Sequence, residues 1–319
     1  MADRYVIGLT GNIATGKTLV LARLGEHGAF CLDADRLVRE CTSRGAPAWE
    51  EIRRRFGEEV LRPGGELDRA ALAAIVFADP EALRDLEAII HPRVVQEVEI
   101  RLAASAAPVA VVEAIKLLEA SLGSRCHAVW VTTSAPELQV RRLTRGRGLT
   151  EEEAGLRMGA QPPAEVKVCQ ADLLLENDGT REELLALVDQ EWGEIERGAA
   201  PGRDTQPGEP RWSDGTWRVS EGQHEAVATP PPILPRGRGR GKLAAGVWAL
   251  SLSRPSRLAR LCRPLLAALE EEARRQGQHS LTLLAPARTG YRQFLTGSGY
   301  TENDNGGREP GETAFNRGL

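Results

Sequence analysis

The chain is 319 residues long, and at about 100–200 residues per domain that length predicts two domains. A formal net charge of −4 argues against a general nucleic-acid binder, and 41% hydrophobic with 27% charged residues describes an ordinary globular composition. No apolar run approaches the ~18 residues a membrane-spanning helix needs, and residues 1–4 lead into a strand-like stretch without a signal-peptide core, so the cytoplasm is the expected location.

Residues 5–9 (YVIGL) read as a buried strand, 19–27 as a helix and 28–32 as a second strand. Helix-period segments follow at 69–75 and 80–90, then strands at 109–112 and 129–131, a helix at 151–159, a strand at 173–175 and a helix at 181–192. Such alternation predicts an α/β fold in which a parallel sheet carries helices on both faces. The composition then changes. Residues 197–210 (RGAAPGRDTQPGEP) are rich in Gly, Pro and charge and read as a linker, and 228–241 (ATPPPILPRGRGRG) is of low complexity. A strand at 245–252, a helix at 264–276 and a strand at 280–284 predict a second, smaller α/β unit. The domain plan is therefore 1–196, linker 197–210, and 211–319. The five cysteines (Cys31, Cys41, Cys126, Cys169 and Cys262) stand at neither metal-knuckle nor redox spacing and read as reduced, packed thiols.

The chemistry is most legible at residues 11–18, GNIATGKT, which fit G-x-x-x-x-G-K-[ST] between a predicted strand and a predicted helix. In that context the backbone N–H groups of Gly11, Asn12, Ile13, Ala14, Thr15 and Gly16 point inward around a nucleotide phosphate. Lys17 then bridges the β- and γ-phosphates, and the Thr18 hydroxyl reaches Mg²⁺. ATP with Mg²⁺ is the expected cofactor pair. Directly after the second strand stand Asp33 and Asp35. A carboxylate beyond the carboxyl end of a parallel strand suits a base for an attacking hydroxyl. Catalysis is the reading for Asp33, with a helix cap as its alternative, and capping is the reading for Asp35.

Pieces spread in order along the first 195 residues extend the pattern: YVIGLTGNIATGKT, LDADRLVRE, LDRAALAAIVFADPEALRDLEAIIHPRV, LLEAS, QVRRLTRGRGLTEEEA, Gln161-Pro162 and ADLLLENDGTREELLALV. Together they resemble the dephospho-coenzyme A kinases, which phosphorylate the ribose 3′-hydroxyl of dephospho-coenzyme A. The resemblance implies a P-loop kinase fold and gives Asp33 the role of base facing that hydroxyl. It places Arg39 and the 67–91 block in a helical substrate-binding insertion with His91 at its return, where His91 takes either a substrate-side or a packing role. Arg142, Arg145 and Arg147 fall in a mobile lid whose guanidinium groups close on the transferring phosphoryl group, with a solvated turn as the alternative for at least one of them. Asn177 lies toward the adenine end of ATP. This chain departs from the family pattern at Asn12 and Ala14, where glycines are usual, at Lys116, an added cation on the substrate side, and at Gly146, which interrupts the arginine spacing. Another small-molecule acceptor on the same loop is the competing reading.

In the C-terminal part, residues 264–284 followed by YRQFLTGSGY resemble the latter half of an acetyltransferase fold. That likeness implies an acetyltransferase-like domain with acyl-coenzyme A as ligand, and a kinase regulated by acyl-coenzyme A as a further reading. The stretch RLARLC at 257–262 lacks the glycines that let a backbone approach a pyrophosphate, which sets acetyl transfer in doubt. Arg260 and Arg263 would attract phosphates by charge alone. The RGRGRG run at 236–241 reads as disordered.

Overall fold

The computed structural model describes residues 4–119, 122–198, 207–213, 216–221, 223–229, 247–253, 255–275, 277–303 and 312–318. Two compact units emerge, one from residues 1–9 and 24–126, the other from 10–23 and 127–319. In chain order the elements up to residue 126 are β1 (Tyr5–Gly11), α1 (Lys17–Glu26), β2 (Phe30–Asp33), α2 (Ala34–Cys41), α3 (Pro47–Phe56), α4 (Arg69–Ala78), α5 (Pro80–Ala104) and β3 (Val109–Glu113), with most of α1 belonging to the second unit. There follow β4 (Ala128–Thr133), α6 (Pro136–Arg147), α7 (Glu151–Gly159), α8 (Ala164–Val168), β5 (Leu173–Glu176) and α9 (Arg181–Glu196). The five strands form one parallel sheet of order β2-β3-β1-β4-β5, flanked by helices. Near-continuous burial along β1, β3 and β4 is what a parallel strand covered on both faces requires.

In the first unit β3 is the central partner, with Tyr5 of β1 beside its Val109 and Phe30 of β2 beside its Ala110. A separate helical core gathers Trp49, Ile52 and Phe56 of α3, Leu72 and Val76 of α4, and Ala82 of α5. Each large apolar side chain so buried contributes roughly 1.5–3 kcal/mol. Local signals set the helix starts. Asp68 accepts from the N–H groups of Ala70 and Ala71, and Asp79 caps α5 with Pro80 in its first turn. A return at His91-Pro92 was expected, and the structure corrects this. The helix α5 runs unbroken for 25 residues with Pro92 inside it and His91 in its middle. An internal proline costs roughly 3 kcal/mol. Burial of Ala82, Val94 and Val98 along α5 offsets that cost.

In the second unit β4 and β5 pair in parallel from Trp130 beside Leu173 to Thr133 beside Glu176. Capping boxes start α7 (Thr150 with Glu153) and α9 (Thr180 with Glu183). Beyond α9 the chain builds a second sheet from β6 (Arg211–Ser213), β7 (Thr216–Glu221), β8 (His224–Thr229), β9 (Val247–Leu252), β10 (Ser280–Pro286), β11 (Thr301–Asn303) and β12 (Glu312–Gly318). Two helices, α10 (Leu258–Arg275) and α11 (Thr289–Gly297), accompany it. The strand order is β11-β12-β10-β9-β8-β7-β6, antiparallel except for β9 beside β10. The helix expected from 264 starts at Leu258, because Leu258, Leu261, Leu265 and Leu269 form one buried stripe that runs through Pro264.

Of the expected linker, residues 199–206 lie outside the described residues, whereas the Gly208 N–H donates to the Ser220 carbonyl of β7 at 2.8 Å. The RGRGRG run also lies outside the described residues. Among the described residues no helix is long and apolar enough to cross a membrane.

Candidate active site

The loop between β1 and α1 has the shape its sequence demands. Gly16 sits at φ +105, and a Cβ there would stand 2.4 Å from the Asn177 Nδ2, so the position admits no side chain. Among the described residues Ala14 is the one non-glycine with positive φ, at 61. An L-residue in that region carries about 1–2 kcal/mol of strain. The departure from glycine at Ala14 therefore has a physical cost, and the loop is braced around it.

The bracing comes from four sides of the second unit. Thr15 donates its hydroxyl to the Asn12 carbonyl at 2.8 Å and shares a 2.7 Å bond with the Thr132 hydroxyl of β4. Gln161 Oε1 accepts from the Ile13 N–H at 2.7 Å, and Asn12 donates to the Pro162 carbonyl at 2.9 Å. The buried Lys167 of α8 donates to the Asn12 Oδ1 at 3.0 Å. Asn177 Nδ2 donates to the Thr15 carbonyl at 3.0 Å, so this buried amide just past β5 is tied to the loop. Lys17 folds back on the loop, donating to the carbonyls of Gly11 at 2.9 Å and Asn12 at 3.2 Å. Thr18 is exposed in the first turn of α1.

The arginines are placed differently from the expected lid. Arg142 and Arg145 both belong to α6, Arg142 in its body and Arg145 in its last turn with Arg147. The half-buried Arg142 donates to the Ala14 carbonyl at 3.1 Å, the Ser134 hydroxyl at 3.0 Å and the Asn177 carbonyl at 2.7 Å. Burial pushes its pKa below the usual arginine value, and the charge of Asp178 pulls it partly back. Arg142 thus ties the loop to the ends of β4 and β5, while Arg145 and Arg147 are exposed. Asp178 completes the frame, accepting from the Ala135 N–H at 2.7 Å and the Ser134 hydroxyl at 3.0 Å. Lys167, Ser134 and Asp178 had no role in the sequence expectations, and Gln161 entered them only as part of the family pattern. Only the Asn-Asp pair just past β5 offered a local signal.

In the first unit Asp33, not Asp35, caps α2: its Oδ1 accepts from the Arg36 N–H at 2.9 Å, and its side chain is exposed at the carboxyl end of β2. Asp35 stands in the first turn instead. A cavity of about 480 Å³ is lined by Asp35, Arg39, Arg69, His91, Lys116 and the exposed Phe77. Its cations crowd one another. Arg69 has its pKa lowered by burial and then by the positive charge of Arg39, and it donates to the Thr42 hydroxyl at 2.9 Å. Lys116 is partly neutralised by Glu87 at 3.3 Å. A concave site in which guanidinium groups repel each other favours an anionic ligand. Arg69 was not foreseen, because its identity as a cavity residue depends on the fold of α4 against α5.

A family model described as dephospho-CoA kinase matches residues 5–183, which include both the loop and the cavity residues. The chain belongs to the dephospho-CoA kinase family. The dephospho-CoA kinase of Thermobifida fusca is 42% identical over 192 residues, covering 60% of this chain and 96% of that protein. That of Geobacter sulfurreducens is 43% identical over 190 residues, covering 59% of this chain and 96% of its own length. The crystal structure of TT1252 from Thermus thermophilus superposes with a TM-score of 0.54 at 38% identity, over 60% of this chain and 98% of that one. These relatives are matched almost end to end by the kinase part of the chain. The second sheet lies beyond the family match.

Proposed function

We propose that the chain transfers the γ-phosphoryl group of ATP to the ribose 3′-hydroxyl of dephospho-coenzyme A, giving coenzyme A and ADP. The observation that carries this reading is family membership across residues 5–183, with the phosphate loop intact inside it. In this account the loop N–H groups and the start of α1 hold the β-phosphate. Lys17 exchanges its loop carbonyls for the β- and γ-phosphate oxygens, and Arg142 keeps the loop in register. Arg145 supplies charge to the transferring group. The Thr18 hydroxyl would hold a Mg²⁺ bound with the nucleotide, where the ion would neutralise charge on the phosphates. The fit rests on that hydroxyl, which is exposed at the start of α1.

Asp33 keeps Oδ1 for its cap and receives the proton of the acceptor hydroxyl on Oδ2. Arg39, Arg69, His91 and Lys116 hold the anionic part of dephospho-coenzyme A in the cationic cavity of the first unit. A coupled ADP-release assay tests the reading, with dephospho-coenzyme A set against shikimate, gluconate and nucleoside monophosphates. Turnover confined to dephospho-coenzyme A supports it, and equal or greater turnover with another acceptor refutes it.

Residues 1–196 then form the kinase domain and 211–319 an accessory domain after a connecting segment. The order β9-α10-β10 with parallel outer strands, followed by α11 and antiparallel β12, supports an acetyltransferase-like architecture for the accessory domain. Its arginines favour a docking role over acyl transfer. Arg257 pairs with Glu191 at 3.3 Å and Arg260 with Asp172 at 3.1 Å, while Arg263 donates to the Cys169 carbonyl. The charges expected to attract an acyl-coenzyme A are thus engaged with the kinase part of the chain. Calorimetric titration of the whole chain with acetyl-coenzyme A tests this, and saturable binding that requires Arg260 would contradict it.

A further inference from the structure

The helix α11 lies more than 100 residues beyond the family match, yet it bonds to the frame of the phosphate loop. Thr289 at its start donates its hydroxyl to the Asp178 Oδ2. The other oxygen of Asp178 holds Ser134 and Ala135. Ser134 in turn accepts from Arg142, whose guanidinium reaches the Ala14 and Asn177 carbonyls. One turn along α11, Gln293, which is buried, accepts from the Thr133 hydroxyl of β4. The backbone carbonyl of Thr133 receives the Asn177 N–H at 2.8 Å. The two side chains of α11 therefore grip Thr133 and Asp178, the chain neighbours of Ser134 and Asn177, whose hydroxyl and carbonyl oxygens lie 2.8 Å apart.

The far end of α11 supports the same frame by packing. A Cβ at Gly297 would stand 2.7 Å from the Cys169 sulfur and 3.1 Å from the Glu165 carbonyl oxygen, so only glycine lets α11 approach α8 this closely. Helix α8 carries Lys167, which holds Asn12 of the loop. Around the strained Ala14, then, two of the loop's supports continue into the accessory domain.

We propose that Thr289 and Gln293 are positioning residues for the nucleotide site: the accessory domain, through α11, sets the affinity of the phosphate loop for ATP and ADP. The inference rests on the loop being the nucleotide site. The relatives named above are matched over 96% of their length by the kinase part alone, which leaves almost no chain in them for a counterpart of α11. The effect is accordingly one of tuning rather than of loss.

The test compares the full-length wild type with Thr289→Val, which keeps the shape and removes the hydroxyl, and with Thr289→Ser, which restores it. ADP dissociation constants come from calorimetry, and KM values for ATP and dephospho-coenzyme A from the coupled assay. Loss of one partly buried hydrogen bond to the frame predicts that Thr289→Val weakens ADP and raises the KM for ATP by about threefold to tenfold. The KM for dephospho-coenzyme A and kcat should stay near wild type, with Thr289→Ser recovering ADP affinity. A lower melting temperature with unchanged ADP affinity means a merely structural contact and overturns the proposal. If Thr289→Val does not fold, Gln293→Met carries the same comparison. A wild type that binds no ADP overturns the nucleotide site and this inference with it, whereas a wild type that binds ADP as tightly as the variant overturns this inference alone.

Discussion

Removing the Glu191 carboxylate should destabilise the chain more than any surface substitution. Glu191 of α9 and Arg257 before α10 are 0% and 1% exposed at their side chains, and their atoms approach to 3.3 Å. Ser256 adds a 2.7 Å hydrogen bond to the second carboxylate oxygen. In Glu191→Ala the guanidinium stays buried without its counter-charge, and Ser256 loses its acceptor. Breaking one side of such a pair costs about 3–5 kcal/mol. At roughly 2–4 °C per kcal/mol for a folding unit of this size, the melting temperature should fall by roughly 6–20 °C. The double variant Glu191→Leu with Arg257→Met removes both charges and should recover most of that loss, because a buried ion pair contributes little net stability over apolar side chains of similar volume. Urea unfolding followed by circular dichroism measures these three proteins together with the single variants Glu191→Leu and Arg257→Met. A Glu191→Ala midpoint within error of wild type would refute the buried contact between α9 and the start of α10, and an additive double variant would refute its pairwise character.

Ala14→Gly should stabilise the chain by about 1 kcal/mol, because glycine relieves the positive φ at that position. A melting temperature that falls instead would show the strain to be absent. Asp33→Asn separates the two roles of that residue. Asparagine caps a helix as well as aspartate does, so stability should be retained while kcat falls about 100-fold to 10,000-fold. Retained turnover would reduce Asp33 to its cap. Lys17→Met should lower kcat/KM by about 100-fold or more in the ADP-release assay, with folding judged by circular dichroism.

For pH, hydrogen bonds from Arg101 foremost hold the Glu40 carboxyl below its ordinary value, and the Ala71 and Ala70 N–H groups do the same for Asp68. Both groups therefore add stability above the unfolded carboxylate range near ~4, and that stability is lost as the pH falls through their lower folded values. Glu40→Gln with Asp68→Asn should flatten the decline of melting temperature between about pH 4 and pH 2, and an unchanged slope would contradict the assignment.

The parts of this molecule legible in its sequence are those specified locally. The glycines and lysine of residues 11–18 stand at fixed spacing because backbone must wrap a phosphate, so motif and loop coincide. The strands at 5–9 and 109–112 declare themselves because both of their faces are buried. Helix α6 was missed because it buries only Gln139 and Leu143 and carries four arginines, leaving no clear apolar stripe to read. Helix α3 hides its buried Trp49, Ile52 and Phe56 behind three successive arginines. Arg142 was expected in a lid and instead lies against the loop, because its bonds to Ala14 and Asn177 span 128 and 35 residues. Arg260 reads as a phosphate attractor because its carboxylate partner, Asp172, stands 88 residues away. Long-range pairing of that kind is settled by packing, and no local pattern announces it.

The central claim is the identity of the reaction, and the product tests it most directly. The full-length chain is incubated with dephospho-coenzyme A, Mg²⁺ and ATP labelled at its γ-phosphate, and the products are separated and identified by mass and by phosphorus resonance. The account predicts that the label appears on the ribose 3′-oxygen as coenzyme A, in step with ADP. Label recovered only as inorganic phosphate, or on another position of the acceptor, would contradict it.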